Sequence, residues 1–389
     1  MAHYKMSDVV TEVNERENNP ANSKYERFVG LEHYVSGEVV IRNYGSTERL
    51  ESTMKVFQAG DILVARRNVY LKRASTVDFD GLTSGDSIVL RAKDPEIGKI
   101  LPFVLNTDAF WDFADQYSDG TMSKRLSPKT LMTFEFDLPD GEELSKLADI
   151  LWAANDTRES YQALLKQADE LVKSQFIELF GDPIKNPFGW ETTGLLAIGD
   201  CKNGMNFGSN EQGVNVRCVG VGDVKDRSRI DDLNEITLLS LNQMPAKEYL
   251  LQDGDIVFVR SNGNKNLVGR CVSVYPHDIP LTFSGFCIRF RKKSNKVLIS
   301  YLLQLFKQQS VRAKLVGRGA NIQNLNQKML AALEIPVPPM RLQEEYRAFI
   351  EQLDKSKYVA FQLTLFLNKF VKYELQSLFQ EECICSPKM

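Results

Sequence analysis

The sequence predicts an α+β protein with two pseudo-repeated globular domains, each leading into a long coiled-coil helix. Three observations carry that class. A single offset of 199 residues superposes Leu179-Phe180 on Leu378-Phe379, Val172-Lys173 on Val371-Lys372, Leu131 on Leu330, Lys129 on Lys328, Leu126 on Leu325 and Gly120 on Gly319. Solenoid units run to roughly 20–50 residues, so this period marks a duplicated domain plus helix. The stretches before each helix are short apolar runs divided by turn residues, the pattern of small curved sheets with local helices. Finally, 389 residues at 43% hydrophobic content can bury two cores.

In chain order, Lys55 to Ala65 and Gly85 to Ala92 read as strand-forming runs and Ile100 to Ala114 as an apolar helical stretch. A long helix follows from about Glu142 to Phe180. Its apolar or small residues fall on a 3-4 spacing at Leu144, Leu147, Leu151, Ala154, Tyr161, Leu165, Ala168, Val172 and Leu179, a coiled-coil seam. At ~1.5 Å per residue, about 40 residues make a rod roughly 60 Å long, and two packed together make a rigid spacer. Gly181-Asp182-Pro183 and Asn186-Pro187-Phe188-Gly189 stop the helix and form a linker. A second domain runs from about Trp190 to Val337: Gly254-Asp255-Ile256-Val257 with Arg260 repeats Gly60-Asp61-Ile62-Leu63 with Arg66, and Ser284-Gly285 with Ile288 repeats Ser84-Gly85 with Ile88. The last helix repeats the seam at Tyr346, Ile350, Leu353, Ala360, Leu367, Val371 and Leu378. Both seams break at matching places, Arg158 with Lys357 and Gln175 with Glu374, as register control requires; the competing reading makes them solvated positions on amphipathic core helices. The divisions are 1–139, 140–182, 183–338 and 339–389.

Composition narrows the function. No apolar run approaches a membrane span and MAHYKMSDVV lacks a signal-peptide core, which places the chain in the cytoplasm. Six cysteines without CxxC spacing read as reduced thiols, and three histidines make a metal site or a histidine triad improbable. A net charge of −3 neither announces nor excludes nucleic acid. There is no phosphate loop ending in Lys-Ser/Thr, no HExxH, no GxSxG and no dinucleotide fingerprint after a strand. Gly317-Arg318-Gly319 reads as a glycine turn, and Asn186-Pro187-Phe188 lacks the second proline of a methyltransferase motif.

Binding chemistry is better represented. Arg66, Arg67, Asn68, Tyr70, Lys72 and Arg73 follow a strand end and interleave cations with amide and aromatic groups. Their counterparts are Arg260, Ser261, Asn262, Asn264, Lys265, Asn266 and Arg270, and a third pair of candidates lies at Lys124 with Arg125 and around Asn321. Arg can grip guanine and Asn adenine with two bonds each, while Lys suits phosphate. On that basis Arg66, Asn68, Arg260, Asn262 and Asn264 are candidates for base readout. Lys72, Arg73, Lys124, Arg125, Lys265 and Arg270 are candidates for positioning the backbone. The competing reading is that Asn and Gly make turns and the cations are solvated surface.

Leu171-Val172-Lys173-Ser174-Gln175-Phe176-Ile177-Glu178-Leu179-Phe180-Gly181-Asp182-Pro183, Gly254-Asp255-Ile256-Val257-Phe258-Val259-Arg260-Ser261-Asn262-Gly263-Asn264, and Ile335-Pro336-Val337-Pro338-Pro339 before Leu342-Gln343-Glu344-Glu345 are its most telling segments. With them the chain resembles the specificity subunits of type I restriction-modification systems over nearly its whole length. Asp140-Gly141-Glu142-Glu143-Leu144 departs from the family's helix start, lacking the second proline and the Gln. The resemblance implies two target-recognition domains, each reading half of a split, asymmetric DNA target and held apart by an antiparallel helix pair. It implies no catalysis in this chain. Two methyltransferase subunits would bring S-adenosylmethionine, and restriction subunits would join with ATP and Mg. Two other functions stay open: a coiled-coil adaptor without DNA readout, and a nuclease or methyltransferase with an unrecognised site.

Overall fold

The computed structural model describes residues 1–120, 123–208, 211–225, 227–316 and 324–377. The chain divides into two units, Met1–Leu164 with Ala360–Met389, and Leu165–Val359. Each unit contains part of both long helices, Gly141–Phe180 and Met340–Ser377.

In the first unit, an antiparallel sheet orders its strands Val10–Glu12, Ser87–Ala92, Ile62–Ala65 and Ala74–Thr76. A second sheet includes Met54–Phe57, Gly81–Thr83 and Arg27–Val29, the last two pairing in parallel. The run expected from Lys55 to Ala65 is thus two strands in different sheets. They are separated by a turn in which Gly60 has φ +89° and the Asp61 carboxylate accepts the Gln58 N–H at 2.8 Å. The stretch from Ile100 to Ala114 is likewise two helices, Pro95–Val104 and Asp108–Gln116. The Thr107 hydroxyl caps the second by accepting the Phe110 N–H at 3.2 Å, which the apolar run alone does not reveal.

The second unit repeats this plan. Gly199–Asn203, Cys287–Lys292, Asp255–Val259 and Cys271–Val274 are neighbours in the same order as the four strands above. Leu281–Phe283 pairs in parallel with Val214–Val219, as Gly81–Thr83 does with Arg27–Val29. Even the ion pairs recur. Arg91 donates to both oxygens of Asp61 at 2.7 and 2.8 Å, and Arg291 to both of Asp255 at 2.8 and 2.7 Å. Both carboxylates are 2% exposed, so each glycine-aspartate motif is a turn that feeds a buried carboxylate into a bidentate pair.

The helices pack antiparallel within each unit. In the first, Leu375 of the last helix joins the core of Leu144, Ala148 and Leu151. In the second, the Tyr346 hydroxyl donates to the Val172 carbonyl at 3.1 Å, and Phe176, Phe180, Tyr301 and Tyr346 pack in mostly edge-to-face contacts with ring centroids 4.9–5.6 Å apart. Both seam breaks at Arg158 and Lys357 are partnered across the helix pair, Arg158 with Asn368 at 3.4 Å and Lys357 with Asp169 at 2.6 Å. These two pairs are related by the 199-residue offset. The seam also takes in Thr364, which is buried although polar because its hydroxyl donates to the Ala360 carbonyl at 2.9 Å.

After the first helix the chain turns at Gly181, whose φ is +73° and whose Cβ position lies 2.4 Å from Pro187 Cγ. Asp182 then accepts the N–H groups of Ile184 and Lys185, and the Trp190 indole donates to the Phe180 carbonyl at 3.1 Å. The linker is a tight folded turn. Cys201, Cys218, Cys271 and Cys287 are free thiols, while Cys383 and Cys385 lie outside the described residues.

Candidate nucleic-acid interface

Both candidate loops leave their sheet through one backbone frame. In the first unit the Arg66 N–H donates to the Asp86 carbonyl at 2.9 Å and its carbonyl accepts from Leu126 at 2.9 Å. In the second the Arg260 N–H donates to the Phe286 carbonyl at 2.7 Å and its carbonyl accepts from Leu325 at 2.7 Å. The two arginines therefore hold equivalent places, each between the turn preceding the next sheet strand and the segment that starts a short helix.

The side chains on that frame differ. In the first unit Arg67 Nε lies 3.3 Å from Asp86 Oδ1 and Arg125 donates to the same oxygen at 2.8 Å. Arg66 sits beside both guanidinium groups; its Nε is buried without a hydrogen-bond partner. Burial, then Arg125, pull its pKa below the ordinary arginine value. Arg67 and Arg125 thus share one carboxylate beside Arg66, on which the charges of Asp86 and Glu12 both act. In the second unit the place of Asp86 is taken by Phe286, 60% exposed, and Arg260 donates to the neighbouring Gly285 carbonyl at 3.2 Å. Sequence reasoning singled out neither Asp86 nor Phe286. The exposed aromatic at a Ser-Gly turn was the signal available.

The other candidates separate into two groups. Asn68 adopts a left-handed φ of 55°, and its Oδ1 accepts the Ser123 hydroxyl at 3.0 Å, so it opens the turn that holds Tyr70 68% exposed. Lys72, Arg73 and Lys124 are not gathered at the Asp86 cluster. Lys72 pairs with Asp108 at 2.8 Å, Arg73 donates to the carbonyls of Leu31 and Arg67, and Lys124 pairs with Asp115 at 2.6 Å. They hold the loop in place.

In the second loop Ser261 bridges to Asn324. Asn262 Oδ1 accepts the Asn264 N–H at 2.8 Å and Asn264 Oδ1 accepts the Asn266 N–H at 3.0 Å. These are consecutive side-chain turns. Each oxygen keeps one lone pair, so any adenine contact would share it with the turn. Lys265 is exposed, and Arg270 donates to the carbonyls of Asn266 and Lys225. Asn321 lies outside the described residues. Among the described residues no cluster of His, Cys, Asp or Glu is placed to hold a metal, and no helix is long and apolar enough to cross a membrane.

Residues 199–359 match the family model of the type I restriction modification DNA specificity domain. The chain is 28% identical over 254 residues to the type I restriction enzyme StySPI specificity subunit of Salmonella potsdam, covering 61% of this chain and 54% of that protein. It is 26% identical over 198 residues to the putative type I restriction enzyme MjaX specificity subunit of Methanocaldococcus jannaschii, covering 50% and 46%. The chain spans about half the length of these curated relatives. Among solved structures, the type I restriction-modification S subunit from M. genitalium aligns with TM-score 0.55 at 15% identity, covering 100% of this chain and 96% of that one. A chain from a structural study of type I R-M complex assembly and conformational transition aligns with TM-score 0.55 at 17% identity, covering 98% of each. At those identities the structures establish the fold. With its matching domain and its relatives taken together, the chain is similar to the specificity subunits of type I restriction-modification systems and carries a match to their DNA specificity domain at residues 199–359.

Proposed function

We infer that this chain recognises a bipartite, asymmetric DNA target, one half through each unit, and recruits the methyltransferase and restriction subunits that act on it. The observation that carries this reading is the shared frame around Arg66 and Arg260 with opposite neighbours, Asp86 in one unit and Phe286 in the other. A constant frame with altered tips preserves a binding geometry while changing what is bound. Arg66 and Arg260 are the leading base readers, each able to address guanine O6 and N7. Arg67, Arg125 and Tyr70 flank the first, while Phe286 offers the second an apolar contact for a thymine methyl.

The chain works in the cytoplasm as a subunit without chemistry of its own; S-adenosylmethionine, ATP and Mg reside on its partners. The last helix exposes Tyr358, Phe366 and Tyr373 at 65%, 63% and 70%, apolar surface suited to a partner subunit. The test is co-expression with the methyltransferase subunit encoded beside it, followed by mapping of methylated bases in the host genome. A split motif with a fixed gap that disappears when this chain is omitted is the expected result. An assembled complex that methylates nothing new would sink the reading in favour of an adaptor.

A further inference from the structure

The second unit contains a cleft of about 800 Å³ between its sheet, its domain helices and its portions of the long helices. Among the described residues, ten Lys or Arg side chains line it against three carboxylates, Asp169, Glu351 and Asp354, in a chain whose overall charge is −3. Much of a basic surface is ordinarily neutralised locally, and here Lys357 pairs with Asp169, Arg347 with Glu344, Arg227 with Glu235 and Arg229 with Asp231. Among the described residues, four other cations have only neutral acceptors in their hydrogen bonds. Lys307 donates to the Ser228 hydroxyl at 2.7 Å, Lys292 to the Ser294 carbonyl at 2.9 Å, Arg312 to the carbonyls of Asn266 and Val268, and Arg270 to those of Asn266 and Lys225. Arg312 Nε is buried without a partner.

This charge is specific to one copy. The cavity against the helix pair of the first unit, about 390 Å³, is lined by two acids, Asp108 and Asp112, and two bases, Arg158 and Lys372. The common fold therefore does not require a basic cleft. Holding several partly buried ammonium and guanidinium groups close together is costly unless an anion offsets their charge. Burial indeed pulls the Lys307 pKa down. The cleft is also continuous with the candidate loop, because Arg312 and Arg270 both hold the Asn266 carbonyl in that loop.

We propose that the cleft of the second unit, centred on Lys307, Arg312, Arg270 and Lys292, binds phosphate, supplied by the DNA backbone beside the bases met by the 260–270 loop. Arg forks and Lys point charges suit phosphate oxygens, and contact with the backbone carries affinity and register without sequence information. The inference rests on the DNA-binding reading above, and its test separates the two.

The full chain is titrated with duplex DNA across a salt series, alongside Lys292→Gln/Lys307→Met and, as a second variant, Lys292→Glu. Each lost phosphate contact lowers the slope of log affinity against log salt by about 0.9. The expected result is a shallower slope for the double variant, and a weaker affinity for the charge reversal, with unchanged discrimination between target and scrambled duplex. Titration with ATP in place of DNA distinguishes the source: ATP binding lost in the variants, with an unchanged DNA slope, would keep phosphate as the ligand and make a nucleotide its carrier. Variants matching the unaltered chain toward both ligands would overturn the proposal, as would loss of methyltransferase association with both unchanged, which would make the cleft a protein-docking surface. If the unaltered chain itself shows no salt-dependent affinity for DNA, the DNA-binding reading falls first.

Discussion

Arg260 illustrates how a single side chain is prepared by its backbone. Its peptide group is pinned on both sides, by Phe286 and Leu325, and its guanidinium is steadied by the Gly285 carbonyl. Such preorganisation would lower the entropy lost if the proposed base contact forms. Arg260→Ala should therefore cost about 1–3 kcal/mol of target affinity and relax one half of the motif only. Titration against a panel of half-site variants checks this, and uniform weakening on every duplex would demote Arg260 to a phosphate contact. Lys307 makes the complementary argument. It is partly buried, its hydrogen-bond acceptor is a hydroxyl, and burial together with the nearby Lys357 outweighs Asp169 and Asp354, so its charged form is disfavoured in the folded state. The unfolded chain binds that proton more readily, so the group costs stability below its folded pKa, and the cost fades as pH rises through that pKa toward the ordinary lysine value. Lys307→Met should accordingly be neutral or stabilising by ~1 kcal/mol near neutral pH, read as an unchanged or higher unfolding midpoint. The stabilisation should shrink in alkaline buffer; a clear loss of stability at neutral pH would show that the amine is better compensated than its contacts indicate.

At the scale of elements, the glycine-aspartate turns show what sequence could and could not disclose. Gly60-Asp61 and Gly254-Asp255 stood out as repeated words, and their place before a sheet strand was legible from the apolar residues that follow. Their partners were not, because Arg91 and Arg291 lie some thirty residues away, 30 for the first pair and 36 for the second, on a neighbouring strand. The same limit explains Asp86 and Phe286: their relation to Arg66 and Arg260 exists only once the sheet is closed. Asn262 and Asn264 were ambiguous for a different reason, since the chemistry that reads adenine also builds turns. Helix content and the seams were legible because heptad spacing is local, although Leu378 of the second seam lies outside the described residues; the break at Leu105–Thr107 depended on one cap. The ion pairs yield an ordered prediction. Arg291 is 19% exposed in its pair, so Asp255→Ala strands a largely covered charge and should cost about 3–5 kcal/mol, as breaking a buried pair does. Asp61→Ala should cost less, because Arg91 is 40% exposed and can turn toward water. Denaturant unfolding of the two variants, followed by probes in each unit, gives the comparison; equal costs would contradict it.

For the whole molecule, duplication determines what can change independently. Each unit has its own sheets, its own bidentate Asp-Arg pair and its own polar pair across the helices, Arg158 with Asn368 or Lys357 with Asp169. The 199-residue offset preserves these supports while the loop tips and the two clefts diverge, so neither unit needs the other's binding residues to build its own. Replacing residues 183–338 with the corresponding domain of a specificity subunit that reads a different sequence should therefore alter one half of the methylated motif and leave the other half intact. The single-residue repeats predict where the joints must lie: inside the folded linker after Gly181, and before the buried Gln343 that donates to the Pro338 carbonyl at 2.8 Å. Joints placed within either helix would cut seams crossed by these polar pairs, and assembly should fail. If the exchange at the stated joints changed both halves of the motif, recognition would have to be shared between units, and the independent use of the two arginine frames would be wrong.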